Sequence, residues 1–220
     1  MITFSPDGKR IAWQVFSSQE SRYYRRSVEL WLANVDGSDP RKVIAVRGGG
    51  IVGWFPNSNR WLVLGSNFPQ ESYSLTVFDL DSANGLEIAR APRLGGASIS
   101  PRGGDWVVFQ VTASGDAQRD GLWVVGTDGR GMRRLDVYGS YQWRSEGRLA
   151  IVPLEVSTQS DLESHRLVEV EAVSGAVRQL TDPTQLSFRI ANGDWSMAPD
   201  GDKFVYVSAE DHNLWVIELP

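Results

Sequence analysis

The chain has 220 residues, a formal net charge of −5 and no cysteine. The acidic balance argues against a nucleic-acid-binding protein, which normally presents a basic face, and the lack of cysteine excludes disulfides, zinc–thiolate sites and cysteine nucleophiles. No apolar run reaches the roughly 20 residues of a membrane-spanning helix, so we predict no membrane span, and we predict no signal peptide either.

A short phrase recurs along the chain. It reads FSPDG at residues 4–8 and MAPDG at 197–201, with weaker copies at 54–58, 99–103 and 143–147. The third positions of the copies are 6, 56, 101, 145 and 199, so successive copies are 44 to 54 residues apart. Repeats of this length are typical of propellers, solenoids and repeat arrays.

The first repeat predicts one four-stranded antiparallel sheet. Residues 2–5 form a short strand, and a turn follows at 6–8, where proline fixes φ and glycine permits a positive φ. Residues 10–16 alternate in polarity with period two, which indicates a second strand. Two further strands, at 28–35 and 41–46, are joined by an Asp-Gly hairpin turn. This succession is the pattern of one propeller blade.

The later repeats predict the same arrangement in turn. Their strands are expected at 61–65, 74–80 and 86–90, at 105–112, 121–126 and 132–136, at 148–153, 166–172 and 176–181, and at 202–208 and 213–219. The sequence therefore predicts an all-β fold without helices, apart from a short helical turn expected in the polar stretch 157–164. Six tryptophans are expected to be mostly buried between neighbouring blades: Trp13, Trp31, Trp61, Trp106, Trp123 and Trp215.

We predict a single β-propeller domain over residues 1–220, with about five four-stranded blades. The blade boundaries are expected near 1–47, 48–91, 92–137, 138–182 and 183–220. The last blade is incomplete because the fifth repeat has no fourth strand, so residues 214–219 should form an unpaired edge. We expect the chain to be a fragment of a six- or seven-bladed propeller; the alternative is a gene boundary with an unpaired end.

The repeat resembles that of TolB-like β-propellers, which are WD40-like propeller repeats. The resemblance lies in FSPDGKRIAW at residues 4–13, LWLANVDG at 30–37 and RQLT at 178–181. The second copy replaces Asp-Gly with Asn57-Ser58, and the fourth has Ser145 in place of proline. The resemblance implies a periplasmic or extracytoplasmic protein that binds other proteins, or a propeller that gates the hydrolase domain of a prolyl-oligopeptidase-type enzyme.

Three functions are consistent with the sequence. The first is a non-catalytic scaffold that binds a protein, peptide or small ligand on its loop-rich face, without a cofactor or a metal. The second is a regulatory propeller of a serine hydrolase whose catalytic domain is absent. The third is a propeller glycosidase, which needs two facing carboxylates about 5–9.5 Å apart. Acids in suitable loops are Glu71, Asp116, Asp120 and Asp194.

The sequence does not clearly indicate a catalytic group. The two histidines, His165 and His212, lie in polar segments expected to be exposed, and no G-x-S-x-G nucleophile elbow is present. The Pro-Asp-Gly segments lack the spacing of a calcium loop, and turn chemistry explains their aspartates. The run Gly48-Gly49-Gly50 lacks the lysine of a phosphate-binding loop, so we expect a flexible connection between blades.

The candidate binding face follows from strand polarity. Loops between second and third strands, and connections between blades, should emerge opposite the Pro-Asp-Gly turns. Tyrosine and arginine are enriched at binding hot spots, and several lie in these segments. The candidate partner-binding residues are Arg22, Tyr23, Tyr24, Arg25, Arg26, Arg93, Tyr138, Tyr141, Phe188 and Arg189.

Overall fold

The computed structural model describes residues 2–17, 26–67, 72–154 and 164–220, and these residues form 19 β-strands and no helix. The prediction of an all-β fold is therefore confirmed. Of the stretch expected to contain a helical turn, only Ser164 lies within the described residues. None of the described segments could cross a membrane as a helix.

The strands form five antiparallel sheets, in each of which every strand pairs with its neighbour along the chain. Sheet 1 contains β1 (Ile2–Phe4), β2 (Arg10–Phe16), β3 (Ser27–Asn34) and β4 (Arg41–Arg47). Sheet 2 contains β5 (Gly50–Trp54), β6 (Arg60–Asn67), β7 (Ser72–Asp79) and β8 (Gly85–Ala91). Sheet 3 contains β9 (Leu94–Ile99), β10 (Trp106–Val111), β11 (Gly121–Gly126) and β12 (Arg133–Arg134).

The last two sheets differ in their number of strands. Sheet 4 contains β13 (Gly139–Ser145), β14 (Arg148–Pro153), β15 (Val168–Glu171) and β16 (Val177–Gln179). Sheet 5 contains only β17 (Ile190–Met197), β18 (Lys203–Ser208) and β19 (Leu214–Glu218) within the described residues. There β19 is an edge strand, as predicted, and Leu214 is 70% exposed. Successive four-stranded antiparallel sheets are the blades of a β-propeller.

The chain forms two compact units. Unit 1 comprises Met1–Ile99 and Gly103–Met132, and unit 2 comprises Ser100–Arg102 and Arg133–Pro220. In unit 1 the alternating apolar side chains of sheet 2 supply two clusters, one around Trp61 and one around Phe55. In unit 2 the core gathers around Phe188 and Phe204. The single-domain assignment and its blade boundaries stay predictions.

The repeated turn has the same hydrogen bonds in three copies. The N–H of Ser5 donates to Arg10, that of Phe55 to Arg60 and that of Ala198 to Lys203, each over 2.9 Å to the carbonyl oxygen. In the second copy Ser58 occupies the position of Gly8 with a φ of 61°. The replacement of Asp-Gly by Asn-Ser therefore leaves the turn geometry unchanged, although Ser58 adopts a left-handed conformation that is unfavourable for its side chain.

The glycine run at 48–50 is not a flexible connection, and that expectation was wrong. All three glycines are buried. A Cβ atom on Gly49 would lie 2.0 Å from the carbonyl oxygen of Leu64, so no larger residue fits without displacing the backbone of β6. Gly49 is therefore needed for the close approach of two backbone segments.

The prediction that six tryptophans are mostly buried is correct only in part. Trp61 is fully buried, and its ring contacts that of Trp54 edge-on at 5.4 Å. Trp215 is 50% exposed because it lies on the edge strand β19, so its predicted burial was wrong. The other four are partly buried: Trp13, Trp31, Trp106 and Trp123.

Candidate functional site

A small pocket opens in unit 1 between the end of β8, the strands β10 and β11, and the loop that joins these two strands. Its volume is about 160 Å³. Its walls are mostly apolar, because β10 and β11 direct alternate side chains towards the cluster around Phe55. The lining residues are Ala89, Arg90, Ala91, Pro92, Phe109, Val111, Ser114, Arg119, Trp123 and Met132.

The loop between β10 and β11 is held by its own polar groups. Asp116 accepts a hydrogen bond from the N–H of Gln118 over 2.9 Å, and its carbonyl oxygen accepts from the N–H of Arg119 over 2.9 Å. Asp120 accepts from the N–H of Ser114, also over 2.9 Å. These bonds fix the loop that carries one wall of the pocket, so a ligand would meet a preformed surface.

Trp123 forms the aromatic wall. Its indole N–H donates to the carbonyl oxygen of Arg119 over 2.8 Å, which orients the ring and satisfies its only donor. The side chain is partly buried against the cluster around Phe55. Trp123 therefore presents an apolar ring surface with no unsatisfied polar atom of its own.

Three arginines lie in or beside the pocket wall, close to the acids Glu87, Asp116 and Asp120. Arg90 is bound by Glu87, with its Nε and Nη2 atoms 2.8 and 2.5 Å from the two carboxylate oxygens. Arg119 has no ion-pair partner within the described residues. Arg93 is exposed and lies beside the loop, since its carbonyl oxygen accepts the N–H of Thr112 over 3.3 Å. An apolar hollow with Arg119 in its wall and Arg93 beside it suits a ligand that combines an apolar group with a carboxylate.

The predicted site residues are only partly gathered at this pocket. Arg93 lies next to it, and Arg26 precedes β3 in sheet 1, where it is partly buried. Four others lie outside the described residues: Arg22, Tyr23, Tyr24 and Arg25.

The remaining predicted residues belong to unit 2. Tyr138 and Arg189 each immediately precede the first strand of a sheet, at equivalent positions before β13 and β17, and both are exposed. Tyr141 lies within β13, and burial raises its pKa to about 12. Phe188 is only 2% exposed, and its ring is 5.7 Å from that of Phe204. Its side chain therefore lies in the core and not at the surface.

The two histidines differ in their burial. His165 is partly buried, contrary to expectation, and its Nδ1 accepts the N–H of Ile190 over 2.9 Å. That bond places the imidazole proton of the neutral ring on Nε2. His212 is exposed in the turn before β19, as predicted.

The acids considered for a glycosidase do not form a described pair. Asp116 and Asp120 are engaged in the hydrogen bonds of their loop, and Asp194 is exposed on β17 in unit 2. Glu71 lies outside the described residues. Asp116 and Asp120 therefore serve as acceptors within their own loop, and Asp194 belongs to a different unit of the chain.

The turn aspartates act as hydrogen-bond acceptors. The hydroxyl of Ser5 and then the N–H of Lys9 lower the pKa of Asp7. Hydrogen bonding from Asp202 lowers the pKa of Asp200. Near His212, the N–H of Asn213 is the main cause that lowers the pKa of Asp211 to about 2. Within the described ranges no three acids or histidines are grouped so that they could hold a metal ion.

Solved structures show which fold this is. The chain is similar to TolB from Acinetobacter baumannii, with 17% identity and a TM-score of 0.54 over 99% of this chain and 52% of that one. It is similar to the β-propeller domain of the trilobed protease from Pyrococcus furiosus, with 10% identity and a TM-score of 0.64 over 96% and 65%. It is also similar to acylaminoacyl peptidase from Pyrococcus horikoshii, with 17% identity and a TM-score of 0.63 over 100% and 37%.

These likenesses define a β-propeller fold, as the repeat predicted. The chain spans less than two thirds of each of the three structures. No protein-family model and no curated protein matches its sequence.

The sequence did not single out the pocket around Trp123. Trp123 was expected to be buried between blades, and Asp116 and Asp120 were considered only as acids. The one sequence feature that could have indicated this pocket is the segment 112–120 between β10 and β11, which contains several turn-forming residues.

Proposed function

We propose that the chain is a non-catalytic β-propeller scaffold that binds a protein or peptide partner through the pocket around Trp123. The observation that carries the proposal is an apolar hollow with an unpaired arginine, Arg119, at its rim and a hydrogen-bonded loop as its wall. Such pockets, walled by aromatic and arginine side chains, are where interfaces concentrate their binding energy.

The size of the pocket favours one anchoring side chain. Pockets for drug-sized ligands occupy roughly 300–1,000 Å³, whereas a cavity of about 150 Å³ holds a group the size of benzene. With about 160 Å³, this pocket suits a phenyl ring or a branched aliphatic side chain. Arg119 and Arg93 would then pair with an acidic residue next to the anchor.

Selection from a random peptide display library tests the proposal. We expect enrichment of peptides with an aromatic or branched aliphatic residue beside an aspartate or glutamate. Trp123→Ala and Arg119→Glu should each weaken a selected peptide by about 30-fold or more, the usual effect of losing a hot-spot residue. Arg130→Glu is the matched control, because Arg130 is 89% exposed and does not line the pocket. Peptides that bind both pocket variants as tightly as the unaltered protein would refute the proposal.

A second candidate is a gating propeller of a prolyl-oligopeptidase-type serine hydrolase. It is favoured by the likeness to acylaminoacyl peptidase, of which this chain covers 37%. The test is to express the complete reading frame and assay hydrolysis of an acylated peptide. Activity that requires a further domain would support this candidate, and a frame that encodes no hydrolase domain would refute it.

A further inference from the structure

A second charged site lies in unit 2, on one face of sheet 4, and it is separate from the pocket around Trp123. Its centre is Glu169 of β15, which is only 6% exposed. Three arginines surround this carboxylate. Arg144 donates to it over 2.8 Å, Arg178 lies 3.1 Å away and Arg148 lies 3.7 Å away.

The strand register explains the arrangement. Arg178 of β16 stands directly opposite Glu169, and Arg148 of β14 stands directly opposite Glu171. Residues 169 and 171 share one face of β15, because side chains alternate along a strand. The side chain of Arg144 is only 11% exposed, and its Nε and Nη2 atoms also donate to the carbonyl oxygens of Gly201 and Pro220, over 2.7 and 2.6 Å. Each nitrogen of its guanidinium therefore has a partner within the fold.

Arg148 and Arg178 have fewer hydrogen-bond partners within the fold than Arg144 has. The side chains of Arg148 and Arg178 are 54% and 53% exposed, and both approach the same oxygen of Glu169. They line an open groove of about 310 Å³ together with Glu169 and Glu171. A guanidinium has five N–H donors, so each keeps donors that one shared oxygen cannot satisfy. The buried carboxylate holds the two cations in place at the wall of the groove.

We infer that this groove binds a carboxylate group between Arg148 and Arg178. The planar fork of arginine matches the two oxygens of a carboxylate. The charges also favour a monoanion. The three arginines contribute +3 and the two glutamates −2, which leaves a balance of +1. A phosphate dianion would be more strongly repelled by Glu171, whose carboxylate is exposed and accepts the hydroxyl of Ser174 over 2.5 Å.

The experiment is an NMR titration of the intact protein, monitored through the arginine Nε–Hε signals. The probes are sodium acetate, the peptide acetyl-Ala-Glu-Ala-amide and inorganic phosphate, each compared with sodium chloride at equal ionic strength. We expect acetate to shift the signals of Arg148 and Arg178 in a saturable manner and more tightly than phosphate. Tighter binding of the peptide would identify an acidic side chain of a polypeptide as the source, and equal or weaker binding would identify a free small acid.

Variants distinguish a binding site from a structural ion pair. Arg178→Gln and Arg148→Gln should each weaken acetate binding by about tenfold or more, because each removes charge-assisted hydrogen bonds. Glu171→Gln should tighten binding, since it removes a negative charge that repels the acetate anion. Arg130→Gln is the control and should change nothing, because Arg130 does not line the groove. Shifts that do not saturate, tighter binding of phosphate, or affinities unaltered in the arginine variants would overturn the inference.

Discussion

Trp61 and Trp215 allow a direct comparison of the same substitution in two surroundings. Trp61→Ala removes a side chain with no exposed surface, whereas Trp215→Ala removes one that is 50% exposed. A buried tryptophan covers about 150–250 Å², which at about 25 cal/mol per Å² is roughly 4–6 kcal/mol of gross burial. Measured substitutions of this kind lower the free energy of unfolding by about 3–5 kcal/mol. Half of that burial is roughly 2–3 kcal/mol of gross gain, and the loss for Trp215 should be smaller than for Trp61 because no closed cavity forms.

The assay is urea denaturation followed by far-ultraviolet circular dichroism. A third variant refines the comparison, because the indole N–H of Trp61 is buried without a hydrogen-bond partner in the described structure. Trp61→Phe keeps most of the ring and removes this donor, whose burial costs about 1–3 kcal/mol, so its net effect should be far smaller than that of Trp61→Ala. Equal losses for Trp61→Ala and Trp215→Ala would refute the reasoning.

Three further predictions concern the fold and its response to pH. Phe188→Ala should lower the free energy of unfolding by about 3–5 kcal/mol, because Phe188 is 2% exposed; a loss below about 1 kcal/mol in urea would contradict its place in the core. Gly49→Ala should abolish or strongly weaken folding, because its Cβ would lie 2.0 Å from a backbone oxygen, whereas Gly95→Ala, with no atom within 4 Å of the new carbon, should melt near the unaltered temperature. Similar melting temperatures for the two glycine variants would be inconsistent with this geometry. Tyr141 has a folded pKa of about 12 against about 10 when unfolded, so its contribution to stability is full below pH 10 and is lost between pH 10 and 12. Tyr141→Phe should reduce the alkaline loss of stability in denaturation curves recorded at successive pH values, and an unaltered loss would contradict the assignment.

The repeat carried most of the information about the sheets. Turn residues and period-two alternation depend on the local sequence, so they predicted strands close to those observed. The shortest strands were predicted least well. The strand expected at 132–136 is reduced to Arg133–Arg134, and that at 176–181 to Val177–Gln179. Outer strands have a neighbour on one side only, and the length of their pairing depends on contacts that lie outside their own sequence.

The site could not be predicted in the same way, because it depends on neighbours distant in the sequence. A phenylalanine between a turn and a strand, such as Phe188, could face solvent or the core, and only the rings of Phe204 and Tyr206 decide this. The contact of Arg144 with Glu169 likewise joins residues 25 positions apart. The predicted strand boundaries placed tyrosines and arginines in the loops, but they did not show whether those side chains are buried or exposed.

The serine at position 58 joins two blades. Its hydroxyl accepts the N–H of Asp7 over 3.0 Å, and its carbonyl oxygen accepts the guanidinium of Arg10. Glycine at this position would relax the backbone but could not accept the Asp7 N–H through a side chain. The turn of sheet 2 is thus bonded to the turn of sheet 1, and we expect the two turns to open together. Their amide protons should exchange with solvent together, although 51 residues separate the two bonded partners.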